Sequence, residues 1–212
     1  VCMIPARSGS ERLKRKNYLP LDYNKTVLQN AIILAKESGC FTHIYLNTDD
    51  ESLKEIADQY EIKFYLRKPE LASSSAGSNE VVADFQSRVK CDYLFWLNTT
   101  VPLITCDDIT GFVSKFVSSE FTSAVSGNNY RQHALVDKES INFNFEEAFA
   151  RTQDLRPVFL FNYALMAWKT THNLDVIQNG LFNKNTLFIE TSKMTRLMLK
   201  TNEDYIILKK LI

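Results

Sequence analysis

Short apolar runs and longer stretches of helical spacing take turns along most of this chain. Val1 to Ile4 is apolar throughout and passes straight into the polar stretch Pro5 to Asn17, which predicts a short buried strand opening into a loop. Val27 to Glu37 has the spacing of an amphipathic helix, with Gly39 placed to end it. His43 to Asn47 reads as the next strand, and Thr48, Asp49 and Asp50 supply caps for a helix over 51–60. A third strand is expected at Lys63 to Leu66, a helix from Asn79 to about Val89, and a strand at Tyr93 to Leu97, apolar on both faces as a central parallel strand should be. A helix over Asp107 to Val117 and a strand over Thr122 to Ser126 continue the alternation. From about 128 to 156 the rhythm breaks, with weak alternation that suits an antiparallel hairpin or arm laid over the sheet. Strands at Val158 to Trp168 and Thr186 to Ile189, then a helix at Glu203 to Leu211, close the pattern.

Repeated strand–helix alternation predicts a three-layer α/β fold with a mainly parallel sheet and right-handed crossovers. The 212 residues suit one compact domain over 1–212, with an arm around 128–156. At 45% hydrophobic residues, with only 6 Gly and 5 Pro, the composition excludes disordered and fibrous classes. Twenty-five basic and twenty-five acidic residues leave no net charge, so no global field gathers nucleic acid or an anionic membrane, and any anion must be caught locally. Cys2, Cys40, Cys91 and Cys106 are dispersed and read as reduced thiols. No apolar run reaches the roughly 20 residues that span a bilayer, and no segment of signal type opens the chain, so a soluble cytoplasmic protein is expected. Opening on Val1 in place of Met leads to the expectation that a few residues ahead of it are missing.

The first loop carries the most chemistry. Arg7, Arg12, Lys14, Arg15 and Lys16 surround Ser8-Gly9-Ser10, where small residues let backbone N–H groups approach an anion that the cations neutralise. In an open α/β sheet this loop, at the carboxyl end of a strand, faces the ligand. Neither GxGxxG nor the GxxxxGK phosphate-loop spacing is present, so composition alone leaves a polyphosphate site and a solvated basic loop both open.

Ile4-Pro5-Ala6-Arg7-Ser8-Gly9-Ser10, continued by Lys14-Arg15-Lys16-Asn17, resembles the nucleotide-binding signature of the sugar-acid cytidylyltransferases, which make CMP-sialic acid and related CMP-sugars. Five further segments follow in the family's order. Asn47-Thr48-Asp49-Asp50 is similar to STDD, Arg67-Lys68-Pro69-Glu70-Leu71-Ala72 to RPxELA, and Leu97 to Leu103 to LQPTSPL. Arg151 to Val158 with Asn162 resembles RRQDxPPV…NG, and Thr201-Asn202-Glu203-Asp204 resembles the closing TxED. The resemblance implies a Rossmann-like nucleotidyltransferase fold, a homodimer joined by protruding arms, and attack of a sugar acid's anomeric hydroxyl on the α-phosphorus of CTP, releasing pyrophosphate. By position it implies a nucleotide site of Ala6, Arg7, Ser8, Gly9, Ser10, Lys16, Asn17, Arg67, Ser78 and Asn98, with Arg7 and Lys16 as the catalytic phosphate-binding pair. Asn98 stands where glutamine is usual. For the anionic sugar it implies Asn98, Arg151, Gln153, Asp154 and Asn162.

The likeness fails at the metal. The family's Mg²⁺ site needs a carboxylate just before the closing segment, where this chain has Leu197-Met198-Leu199-Lys200-Thr201. Methionine is no ligand for a hard cation, and lysine repels one. Three readings stay open: Lys200 replaces the metal's charge in an active enzyme; Asp204, Asp49 or Asp50 holds the ion; or the chain binds a nucleotide, sugar or partner protein without turnover. Glu11 also stands in place of a lysine in the first loop, and Tyr163 in place of the glycine after Asn162, which narrows the sugar side.

Other constellations are weaker. His43, His133 and His172 lack metal-ligand spacing, with His43 read as a structural strand histidine. Asp107-Asp108 reads as helix capping charge, and Ser73-Ser74-Ser75 lacks the GxSxG elbow of a serine hydrolase. Phe143, Phe145 and Phe149 suit an intersubunit contact.

Overall fold

The computed structural model describes residues 1–9, 12–73, 75–170 and 180–212. The expected alternation is present. Strand β1 (Cys2–Pro5) leads to helix α1 (Val27–Glu37), β2 (Ile44–Thr48), α2 (Lys54–Gln59), β3 (Lys63–Leu66), α3 (Ser78–Arg88), β4 (Tyr93–Leu97) and α4 (Cys106–Val117). Strand β5 (Ser123–Tyr130) and the two-residue strands β6 (Leu135–Val136) and β7 (Glu139–Ser140) precede β8 (Val158–Lys169), β9 (Thr186–Glu190) and the closing helix α5 (Asn202–Leu211). Seven strands form one sheet in the order β3-β2-β1-β4-β8-β5-β9. All run in one sense except β8, which lies antiparallel between β4 and β5.

The two faces of β4 show how burial fixes the layers. Leu94 and Trp96 enter an apolar cluster with Met3, Val82 and Phe85, while Phe95 and Leu97 enter the larger cluster with Ile4, Leu28 and Phe112. Period-two alternation therefore sends each strand's side chains to helices on opposite faces. Helices start where the sequence supplies caps: Thr26 with Gln29, Thr105 with Asp108 and Thr201 with Asp204 each form a capping box. Gly39 follows α1 at φ 64°, the left-handed geometry expected of a helix-ending glycine.

Three elements differ from expectation. The helix over 51–60 is a 3₁₀ turn, Glu51–Leu53, leading into the six-residue α2. His43 is exposed and precedes β2, so it is not a packed strand histidine. Strand β5 runs four residues beyond Ser126, past a bulge between Val125 and Gly127. Polar residues hid the extension: Asn128, like Ser126 before it, is buried, with its side chain bonded inside the protein. Gly127 is required there, because a Cβ would stand 2.5 Å from the Leu160 carbonyl oxygen. The weak alternation after β5 contains the β6–β7 hairpin, whose turn residues Asp137 and Lys138 both have positive φ, as a two-residue type I′ turn needs. His172 lies outside the described residues.

Candidate functional site

Strand β1 pairs with β2 on one side and β4 on the other, and its crossover leaves toward β2, so the carboxyl ends of β1 and β4 flank a topological switch point. The first loop is stitched over that point by buried polar bonds. Ala6 donates its N–H to the Asn47 carbonyl at 2.9 Å, and the Thr48 hydroxyl donates to the Ala6 carbonyl at 2.6 Å. Asn17 donates to the Arg7 carbonyl at 3.2 Å and accepts from the Thr99 hydroxyl at 2.8 Å, tying the loop's two ends to each other and to the end of β4. Ser8 gives both its N–H and its hydroxyl to the Asp49 carboxylate.

A cavity of about 910 Å³ opens here, and its lining includes Arg7, Arg12 and Lys16 of the first loop, Met198 and Lys200 of the segment before α5, and Asn98 and Ser78. A smaller pocket of about 300 Å³ shares Arg7, Lys16, Ser78 and Asn98 and adds Asn17 and Arg67. Burial first, then the charges of Arg7 and Arg12, pull the Lys16 ammonium down to about 8. Burial likewise draws Arg67 down to about 10, against an opposing pull from Asp49. The Arg67 guanidinium is largely committed to structure. It donates to the Asn47 side chain at 2.8 Å, to the Asn47 carbonyl at 2.7 Å and to the Leu71 carbonyl at 3.4 Å. Arg7 gives one bond, to the Ser73 carbonyl at 3.1 Å, while Arg12, Lys16 and Lys200 have no side-chain hydrogen bond or ion pair among the described residues.

Antiparallel pairing with β4 carries β8 past the same opening, so Asn98 donates its N–H to the Ala164 carbonyl at 2.9 Å and stands beside Asn162 and Tyr163. Asn162 is buried and its amide is spent. It donates toward Asn128, Thr191 and Thr195 at 2.8 to 3.0 Å and accepts from Ser126 and the Ala164 N–H. Tyr163 holds φ at 53°, a left-handed geometry uncommon for a bulky side chain, and its half-exposed ring lines the cavity with Phe182, Met166 and Trp96.

The structure brings together Arg7, Lys16, Asn17, Arg67, Ser78, Asn98, Asn162 and Lys200 around these two pockets. Ala6 is buried beneath the loop, and Ser8 and Gly9 are exposed on it, outside the lining. Arg151, Gln153 and Asp154 do not line either pocket; they sit at an exposed 3₁₀ turn where Arg151 pairs with Asp154 at 2.7 Å. Ser10 and Glu11 lie outside the described residues. Sequence reasoning missed Trp96, Thr100 and Phe182 as lining residues. Trp96 was within reach, because it lies two positions before Asn98 at the end of β4, on the opening's side of the strand.

The Mg²⁺ implied by the resemblance does not fit the donors present. Among the described residues no carboxylate lines the cavity, and no three His, Cys, Asp or Glu side chains gather as a metal site. Asp49 serves Ser8, and Asp50 accepts from Tyr18 and Ser52. Asp204 Oδ2 caps α5, accepting from the N–H groups of Lys200 and Thr201, both at 2.8 Å.

Residues 1–195 match the family model described as cytidylyltransferase. The chain belongs to the cytidylyltransferase family. It is 31% identical over 216 residues to an N-acylneuraminate cytidylyltransferase of Streptococcus agalactiae serotype III, covering 97% of this chain and 51% of the relative. A pseudaminic acid cytidylyltransferase of Campylobacter jejuni is 30% identical over 171 residues, covering 75% of this chain and 73% of the relative. The chain thus spans about half the length of the streptococcal cytidylyltransferase. Among solved structures, a CMP:2-keto-3-deoxy-manno-octonic acid synthetase complexed with CTP matches over 100% of this chain and 97% of its own, with a TM-score of 0.69 at 15% identity. A 4-diphosphocytidyl-2C-methyl-D-erythritol synthase from Anaerococcus prevotii matches over 99% and 96%, with a TM-score of 0.71 at 9% identity. Both confirm the Rossmann-like nucleotidyltransferase fold.

Proposed function

We propose that this chain transfers CMP from CTP to a sialic-acid-like or other anionic sugar. The sugar hydroxyl oxygen forms a bond to the α-phosphorus and gives up its proton to solvent as the bond from the α-phosphorus to the α,β-bridging oxygen breaks, so a CMP-sugar results and pyrophosphate leaves with that electron pair. One observation carries this reading: side chains from the first loop, the end of β4 and the segment before α5 line a single cavity at the switch point of a cytidylyltransferase fold, and their charge is positive. Arg7 and Lys16 are assigned to the phosphates, where negative charge spreads in the transition state, and Ser78 and Asn98 to the nucleotide. The wall of Tyr163, Phe182 and Met198 is assigned to the sugar.

We read 1–212 as one such domain, acting in the cytoplasm as a homodimer. Exposed Phe145 and Phe149, on the segment beyond β7, support an intersubunit arm. In that arrangement Arg151, Gln153 and Asp154 serve the partner's site. No described helix is long and apolar enough to cross a membrane.

Lys200 and Met198 in the lining favour a second reading, a nucleotide- or partner-binding subunit without turnover. Release of pyrophosphate from CTP across a panel of sugar acids separates the two. Transfer to at least one acid supports the enzyme, and CTP binding with no transfer to any supports the silent subunit.

A further inference from the structure

We propose that this chain takes its nucleotide as the metal-free triphosphate, with Arg7, Arg12, Lys16 and Lys200 meeting the phosphate charge that a divalent cation would otherwise meet. The inference rests on the nucleotide reading of the cavity and adds the ionic form of the ligand. Four cationic side chains line the cavity, and no carboxylate does so among the described residues. A divalent cation brought there by a nucleotide meets like charge without the one or two carboxylates that normally hold it. A free triphosphate carries more negative charge than its magnesium complex, so the cation set favours the free form.

Lys200 is held at the cavity by its neighbours. Leu13 and Leu199 are both buried in one cluster with Leu21, Val27 and Leu208, which fastens the first loop to the segment before α5. Arg12 precedes Leu13 and Lys200 follows Leu199, so the same apolar contact brings two cations to one opening. The Leu199 N–H donates to the Thr100 carbonyl at 2.7 Å, and the Lys200 N–H to Asp204 at 2.8 Å, so the backbone on both sides of the lysine is pinned. Its side chain is exposed and has no described partner, which leaves the ammonium for a ligand. The Lys16 ammonium beside them is lowered first by burial and then by the charges of Arg7 and Arg12.

Calorimetric titration of CTP at constant ionic strength, in EDTA and in excess Mg²⁺, tests this. The expected affinity is several-fold tighter in EDTA. Lys200→Gln is expected to weaken binding in EDTA about tenfold, the loss of one charge-assisted contact, and to shrink the magnesium penalty, while Lys200→Arg retains both. Thermal melting of Lys200→Gln close to that of the parent protein confirms that the fold is intact. Binding that tightens tenfold or more with Mg²⁺, or that ignores Lys200→Gln, overturns the cation assignment and leaves the nucleotide reading standing. No CTP binding in either buffer overturns the nucleotide reading itself.

Discussion

The cavity has two polar ends built on opposite principles. At the first-loop end the side chains are charged, and three of the four cations have no hydrogen-bond or ion-pair partner among the described residues. At the β8 end the polar groups are neutral, buried and saturated: Asn162, Ser126, Asn128, Thr191 and Thr195 spend themselves on one another. Unpartnered charge beside an opening is capacity kept for a ligand, whereas a closed neutral network is architecture that shapes the wall. Both sets contain residues the family resemblance singles out, and only the geometry tells them apart.

Breaking the neutral end should have the largest effect. Asn162→Ala leaves several buried partners unsatisfied and is expected to cost about 3 kcal/mol of stability, read as a lowered midpoint in chemical denaturation of the ligand-free protein. An unchanged midpoint with weakened sugar binding would move Asn162 from architecture to ligand contact and erase the contrast. At the charged end, Arg7→Ala gives up a single 3.1 Å bond within the protein, so its melting temperature should hardly move. Its CTP affinity should fall roughly 30- to 100-fold, as loss of a charge-assisted contact implies. Unchanged affinity counts directly against the loop's role.

The smallest effect sharpens the contrast through pH. Lys16 sits at about 8 in the folded protein against an ordinary 10.5. Below about pH 8 the folded protein therefore carries a destabilising ammonium, and this penalty is relieved as pH rises from about 8 toward 10.5, where the unfolded chain binds the extra proton. Bound phosphates favour the ammonium, so CTP binding near pH 9 should take up a proton, and affinity should fall about fivefold between pH 7 and 9. Calorimetry in buffers of different ionisation enthalpy reads both. Zero proton uptake would place the phosphates away from Lys16.

Much of this was legible in the residues because their patterning is local. The double-faced apolar run of β4, the helical spacing of α1 with Gly39 at its end, the capping charge of Asp107-Asp108 at α4, and the cationic loop after β1 each announce themselves within a dozen positions. What stayed hidden depends on partners far along the chain. The end of β5 fell into the stretch read as a hairpin or arm because Asn128 and Asn129 are polar, and only the bonds of Asn128 to Asn162 and Thr191 make it an interior residue. Asn162 likewise resembled a ligand contact until its acceptors were in view. Tyr163 could be recognised as a departure from the family's glycine, but its positive φ belongs to the backbone alone.

The leucine contact between the first loop and the segment before α5 sets an order of events during synthesis. Every strand of the seven-stranded sheet ends by Glu190, so the scaffold can assemble before residues 191–212 emerge. Lys200 arrives only afterwards, and α5 is then fastened by Lys209 to the carbonyl of Leu21, 188 residues earlier. A chain cut short just after Glu190 would keep every strand of the sheet while leaving the cationic loop without Leu199, Lys200 and the α5 clasp.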